Sequence, residues 1–246
     1  MNMNTFKMLD KMFQEIQNKG YIKAVNNNKN SAGPTLENEL GTTGGDFNIP
    51  DFYDIEIKAI REYYAAEFDL FNSRPDGRYY NASQWLSEEF GYPDKTFKSV
   101  KVFKGDVYAS KICPIGLFYH FQLDVNEIEK RIYLKVFNYK YEFINNDIYW
   151  DFDTLKEKLE RKLKKLAIFS FKRIEKDGYL YFKYYDVKKY ELKGFDQFIE
   201  CIKNGVIYVT FKTGVYKNGK YAGKFTDHGT SFRIAKNNIN KLFYRI

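Results

Sequence analysis

Apolar positions recur at helical spacing near the start of the chain and at strand spacing soon after. Between Thr5 and Asn18, the residues Phe6, Leu9, Met12, Phe13 and Ile16 fall on one side of a 3.6-residue repeat, and Gly20 follows as a stop, which predicts a helix. Val25 to Gly33 is a polar, Asn-rich loop. Pro34 to Leu40 then reads as a short helix with proline in its first turn and Gly41 beyond its end. From Asp54 onward, polar and apolar residues alternate through Ile55-Glu56-Ile57-Lys58, the period of a half-buried strand. Residues 61–118 give no clear topology beyond a helix around Ala82 to Phe90.

The later pattern is easier to read. Arg131 to Phe143 alternates as one long strand or a hairpin. Phe152 to Leu166 predicts a helix with Leu155, Leu159, Leu163 and Leu166 as its apolar stripe, and Glu157/Arg161 and Glu160/Lys164 as favourable i,i+4 pairs. It leads into a buried strand, Ala167 to Phe171. Asp177-Gly178 marks a hairpin turn to Tyr179–Tyr185. Phe195 to Lys203 is a helix ended by Gly205, followed by a strand from Val206 to Lys212, a turn at Asn218-Gly219 and a strand from Ser231 to Ile234. This order predicts a mixed α/β (α+β) fold, with a first lobe over residues 1–174 and a smaller, strand-rich lobe over 175–246.

Composition narrows the class. With 44% hydrophobic and 29% charged residues the chain is globular rather than disordered. Charges interrupt every apolar run, so no membrane span and no membrane partner are expected. Met1 to Lys11 lacks the apolar core and small-residue cleavage site of a secretory leader, and Cys113 and Cys201 fit neither a metal cluster nor a disulfide framework, so a reducing cytoplasm is the expected compartment. Residues 151–246 hold 22 Lys/Arg against 11 Asp/Glu, while residues 1–150 hold 18 against 21. A basic half attracts polyanions, because each neutralised phosphate releases condensed counterions.

The chemistry concentrates in Pro50-Asp51-Phe52-Tyr53-Asp54-Ile55-Glu56-Ile57-Lys58. Glu56 and Lys58 share one strand face, with Ile57 directed to the core between them. Pro50 cannot donate a ladder hydrogen bond, so the strand starts or bends there and can fold Asp51 back beside Glu56. Two converging carboxylates suit Mg²⁺, which keeps water ligands and binds phosphate oxygens, and Lys58 over the same site could orient an attacking water. From spacing alone, Asp54 competes with Asp51 as the first ligand, since it shares the face of Glu56 and Lys58.

Three blocks carry a family resemblance. Gly33-Pro34-Thr35-Leu36-Glu37 before the Pro50–Lys58 strand is similar to the Gly-x-Thr-(Leu/Phe)-Glu helix and Pro-Asp-Phe-x-Asp-Ile-Glu-Ile-Lys strand of the MvaI/BcnI family of type II restriction endonucleases, which are related to the MutH repair nuclease and have a PD-(D/E)xK core. Thr226-Asp227-His228-Gly229-Thr230-Ser231-Phe232-Arg233-Ile234 resembles a second family segment, and the spacing of Gly214, Tyr216, Gly219 and Gly223 fits it. Tyr149-Trp150-Asp151-Phe152-Asp153 resembles a third. The resemblance implies a Mg²⁺-dependent endonuclease with Asp51, Glu56 and Lys58 as its centre. It selects Asp51 over Asp54 as metal ligand and gives Glu37 a supporting role.

It also implies double-stranded DNA as partner, a monomer that cuts strands in sequence, a cognate DNA methyltransferase as genetic partner, and a C·G-flanked site such as CC(A/T)GG or CC(C/G)GG. Arg233 can donate to guanine O6 and N7, Asp227 can accept from the cytosine amino group, and His228 can do either. Lys217, Lys220 and Lys224 around the Asn218-Gly219 turn suit phosphates, and Tyr216 borders them. Lys212 stands where the family has arginine and loses its bidentate fork, and Thr210 replaces an acidic residue, so the bases read are expected to differ. A MutH-like nicking enzyme and a catalytically inactive DNA-binding module are the alternative readings.

Overall fold

The stripe on Thr5–Asn18 forms helix α1 over those residues, turning Phe6, Leu9, Phe13 and Ile16 inward. A computed structural model describes residues 5–42, 49–61, 67–78 and 80–246. Its other helices are α2 (Ala32–Glu39), α3 (Ala82–Phe90), α4 (Phe152–Leu163), α5 (Phe195–Lys203) and α6 (Ile239–Leu242). The strands are β1 (Ile22–Lys23), β2 (Ile55–Arg61), β3 (Glu67–Asn72), β4 (Tyr92–Pro93), β5 (Lys101–Val102), β6 (Lys104–Val107), β7 (Cys113–Ile115) and β8 (Tyr119–Asn126). They continue with β9 (Arg131–Asn138), β10 (Phe143–Asn145), β11 (Tyr149–Asp151), β12 (Lys165–Lys176), β13 (Tyr179–Leu192), β14 (Ile207–Val215), β15 (Phe225–Ala235) and β16 (Phe243–Arg245). The fold is mixed α+β. Among the described residues no helix is long and apolar enough to cross a membrane.

Contacts divide the chain into two units: residues 1–66, 158–194 and 242–246, and residues 67–157 and 195–241. A boundary at residue 174 is therefore corrected. It would cut the β12–β13 hairpin, which pairs from Lys165↔Glu191 to Lys176↔Tyr179 and belongs wholly to the first unit. Splitting it would expose a long row of backbone donors and acceptors.

The sheet of the first unit runs β1-β13-β12-β2, with β16 also on β13. β2 and β12 are parallel, pairing Glu56 with Leu166 and Lys58 with Ile168. One face of this sheet packs Ile55, Ile57, Ala167, Phe169, Phe182 and Tyr184 against Leu9, Phe13 and Leu36 of the helices. Glu56 and Lys58 point to the other face. Leu166 departs from the expected helix, since α4 stops at Leu163 and Leu166 joins the strand. Strands on both sides of β12 supply ladder bonds from Lys165 onward, which outweighs leucine's helical preference.

In the second unit a four-stranded sheet runs β3-β15-β14-β6, and another runs β10-β9-β8-β7 with β11 on β9. Arg131 to Phe143 is the β9–β10 hairpin rather than one strand. Phe232, fully buried in β15, sits 5.2 Å from Phe71, 5.6 Å from Trp150 and 5.7 Å from Phe198 between ring centroids. The Trp150 indole N–H donates to Ser73 O at 3.1 Å, so this large side chain is buried without an orphaned donor.

Candidate active site and DNA-reading face

Glu56 has 1% of its side chain exposed, and its two oxygens have different surroundings. Oε1 lies 2.5 Å from Lys58 Nζ and 3.4 Å from Lys162 Nζ of α4. Oε2 is buried with no hydrogen-bond partner. A buried acceptor left without a partner costs about 1–3 kcal/mol, and more when charged, unless something else supplies the missing contact.

The bend expected at Pro50 lies two residues further on, as a tight turn over residues 52–55. Phe52 N–H donates to Ile55 O at 2.9 Å, Ile55 N–H returns to Phe52 O at 2.8 Å, and Tyr53 takes a positive φ of 51°. Asp51 folds back over β2, where its Oδ2 accepts Ile57 N–H at 2.9 Å. Asp54 goes elsewhere, with Oδ2 2.7 Å from Lys165 Nζ. Burial would raise the Asp54 carboxyl, but hydrogen bonds from Lys165 and Thr5 and the Lys165 charge hold it below the ordinary range. Asp51 thus lies within the electrostatic reach of Glu56, whereas Asp54 pairs with Lys165.

Glu37 enters from α2, whose Thr35 hydroxyl donates to Ser31 O at 2.7 Å and whose Ala32 O accepts the buried Tyr184 hydroxyl at 2.6 Å. Burial and the charge of Asp51 raise the Glu37 carboxyl, against Lys58 and Lys162. Burial also raises Glu56; Lys58 opposes this, Asp51 adds to it and Lys162 opposes it again. Glu37, Asp51, Glu56, Lys58 and Lys162 therefore share one electrostatic field. Lys162 went unpredicted, yet the sequence holds its signal: it falls at i+7 from Leu155 and i+3 from Leu159, a charge on the apolar stripe of α4.

No group of three or more His, Cys, Asp or Glu side chains stands ready as a metal cage among the described residues. Mg²⁺ does not require one, since it is held by one or two carboxylates and completed by water and substrate phosphate. Asp51 and Glu56, with the partnerless Oε2, meet that smaller demand.

In the second unit, β14 and β15 carry the expected reading residues. Phe232 enters the core and Arg233 faces the other way, as the alternation predicts. Neither Arg233 nor Lys212 stands alone, however. Arg233 Nε is 2.7 Å from Asp69 Oδ1 and Arg233 Nη1 is 3.1 Å from Glu67 Oε2, while Lys212 Nζ is 2.9 Å from Asp69 Oδ2. The Nε contact is an ion pair lying off hydrogen-bond geometry. Thr210 donates to Asp106 Oδ1 at 2.6 Å, and Ser231 to Asn72 Oδ1 at 2.6 Å. Glu67, Asp69, Asn72 and Asp106 all come from residues 61–118, which the sequence leaves unassigned.

Asp227 and His228 are exposed at the far end of β15. The Asp227 carboxylate accepts Gly229 N–H at 2.8 Å, within an irregular stretch of β15 where Gly229 adopts φ +90°. A methyl group on Gly214 would meet His228 Nε2 at 3.5 Å, an ordinary van der Waals contact, which places the imidazole directly beside this glycine. The loop from Tyr216 to Lys224 is closed by Tyr216 N–H to Lys224 O and Gly223 N–H to Tyr216 O. Within it Lys220 and Lys224 lie over the Tyr221 ring, and Lys217 Nζ pairs with Asp94 Oδ1 at 2.5 Å.

The model of the MvaI/BcnI restriction endonuclease family matches residues 10–243. A solved complex of restriction endonuclease MvaI with cognate DNA substrate has a TM-score of 0.88 at 26% identity, covering 100% of this chain and 99% of that one. MvaI in the absence of DNA gives a TM-score of 0.63 at 26% identity, covering 100% and 98%. No curated protein sequence matches the chain. With nearly its whole length matched, the chain belongs to the MvaI/BcnI restriction endonuclease family, type II site-specific deoxyribonucleases.

Proposed function

We propose that the first unit hydrolyses DNA phosphodiester bonds with Mg²⁺ held by Asp51 and Glu56, and that the second unit reads the sequence of the duplex. The observation that carries this reading is the Glu56 carboxylate, buried with one oxygen against two lysines and the other without a partner. Bound there, the ion would polarise the scissile phosphate and ease deprotonation of the attacking water.

The protein's own groups have distinct tasks. Lys58, with 28% of its side chain exposed, can both touch Glu56 and reach a phosphate or water from the solvent side. Lys162, 12% exposed, favours the ionised form of Glu56 against the burial that raises its carboxyl. Glu37 holds a proton more readily than an ordinary glutamate, which suits a supporting role in removing a proton from the water.

On the reading face, Arg233 and Lys212 address guanine, and Asp227 and His228 address a neighbouring pair. Lys217, Lys220, Lys224 and Tyr216 engage the backbone. The site read is C·G-flanked, of the CC(A/T)GG or CC(C/G)GG kind, with differences at the positions facing Thr210 and Lys212. The enzyme acts as a monomer that cuts strands in sequence, in the cytoplasm, beside a methyltransferase protecting the same site. Incubating plasmid DNA with the protein and Mg²⁺ is expected to yield discrete fragments. Intact DNA across several unmethylated substrates sinks the proposal, and a stable dimer by light scattering sinks the monomer part of it.

A further inference from the structure

Asp69 joins the two basic side chains on the reading face, and a local irregularity of β3 puts it there. In the β15–β3 register Ser231 faces Asn72 and Phe232 faces Phe71, but Arg233 faces Asp69, because Leu70 is the extra residue of a β-bulge. Regular pleating would set Leu70 opposite Arg233. The bulge instead sinks Leu70 to 2% exposure and raises Asp69 onto the polar face. Lys212 reaches the same carboxylate across β15, donating also to Ser231 Oγ at 2.8 Å.

This changes what the two cations can offer a base. A lysine ammonium is a rotatable point charge with three donors and no fork. With one donor on Asp69 and one on Ser231, Lys212 keeps a single N–H with a fixed direction. Arg233 faces Asp69 and Glu67 through Nε and Nη1, which leaves Nη2 and the second Nη1 hydrogen for an end-on approach to guanine. Each Asp69 oxygen keeps a lone pair able to accept from a cytosine amino group.

We propose that Asp69 is a specificity-determining residue, which holds Lys212 and Arg233 as one directed donor set and so fixes the base pair preferred where those side chains reach. The proposal rests on the reading of this sheet face as the one that addresses bases. The test is end-sequencing of a randomised-site DNA library cut by the full-length protein and by its Asp69→Asn, Lys212→Met and Arg233→Ala variants. The readout is the ratio of kcat/KM between the preferred base pair and its competitors, which does not depend on how active each variant is. Asp69→Asn is expected to lower that ratio about 5- to 100-fold at the position where Lys212→Met also lowers it, and little elsewhere. A wild-type profile in Asp69→Asn overturns the proposal. If Asp69→Asn does not fold, an unchanged profile in Lys212→Met overturns it instead. An unchanged profile in Arg233→Ala overturns the underlying reading of the face, a result separate from failure at Asp69 alone.

Discussion

Replacing Lys162 by methionine removes the second cation from Glu56 while keeping the stem that packs in α4. At 3.4 Å and an effective dielectric of about 20, the pair gains about 5 kcal/mol before desolvation offsets it. Lys58 remains 2.5 Å from the same oxygen, so the carboxylate is not left bare and the net loss falls to about 1–3 kcal/mol. That loss acts on the ionised form, making Glu56 harder to deprotonate. Its carboxyl already sits above the ordinary range through burial. The acid limb of the activity profile therefore moves up by about 1–2 pH units, at about 1.4 kcal/mol per unit. Below that limb more Mg²⁺ is needed for the same rate. The assay is plasmid cleavage across pH 5–9 at graded Mg²⁺, with a melting curve to confirm folding. Lys162→Arg, which retains the charge, is expected to recover much of the lost activity at low pH. A folded Lys162→Met enzyme with the wild-type acid limb and Mg²⁺ dependence refutes the role given to Lys162.

Asp51→Asn is expected to reduce cleavage by at least about 1,000-fold, whereas Asp54→Asn, which loosens the contacts with Lys165 and Thr5, changes it by less than about tenfold; equal effects in single-turnover assays contradict the assignment. Phe232→Ala is expected to cost about 3–5 kcal/mol in chemical denaturation, since the ring is fully buried among Phe71, Trp150 and Phe198. Lys217 and two backbone N–H groups hold the Asp94 carboxyl at about 2. A lowered value means this contribution is present above the ordinary carboxylate range and fades as pH falls toward 2, so the stability gap between wild type and Asp94→Asn is expected to close between pH 4 and 2. A gap that stays constant over that window counts against the pair.

Some of the architecture was legible because it is local. Thr5–Asn18, Ala82–Phe90 and Phe195–Lys203 form helices with the expected ends, since stripe and stop signals lie within a few residues of each other. The Glu56–Lys58 pair was legible for the same reason. Leu166 was misread because a helix and a buried strand share an apolar pattern, and only the two neighbouring strands decide between them. The lobe boundary failed because the units are assembled from non-contiguous segments. Asp69 and Glu67 were invisible as partners: Glu67-Phe68-Asp69-Leu70 alternates like any strand, and nothing local says that it borders β15 or that a bulge re-aims Asp69. Lys162, by contrast, could have been found as a charge falling beside the leucine stripe of α4.

The most direct test of the account is run-off sequencing of DNA ends produced by the wild-type protein and by Glu56→Gln in the presence of Mg²⁺. The expected result is one uniform break at every copy of a short C·G-flanked site with the wild type, and no breaks with Glu56→Gln despite retained DNA binding. Ends scattered without a shared sequence, or cleavage that survives the loss of the Glu56 charge, would contradict it.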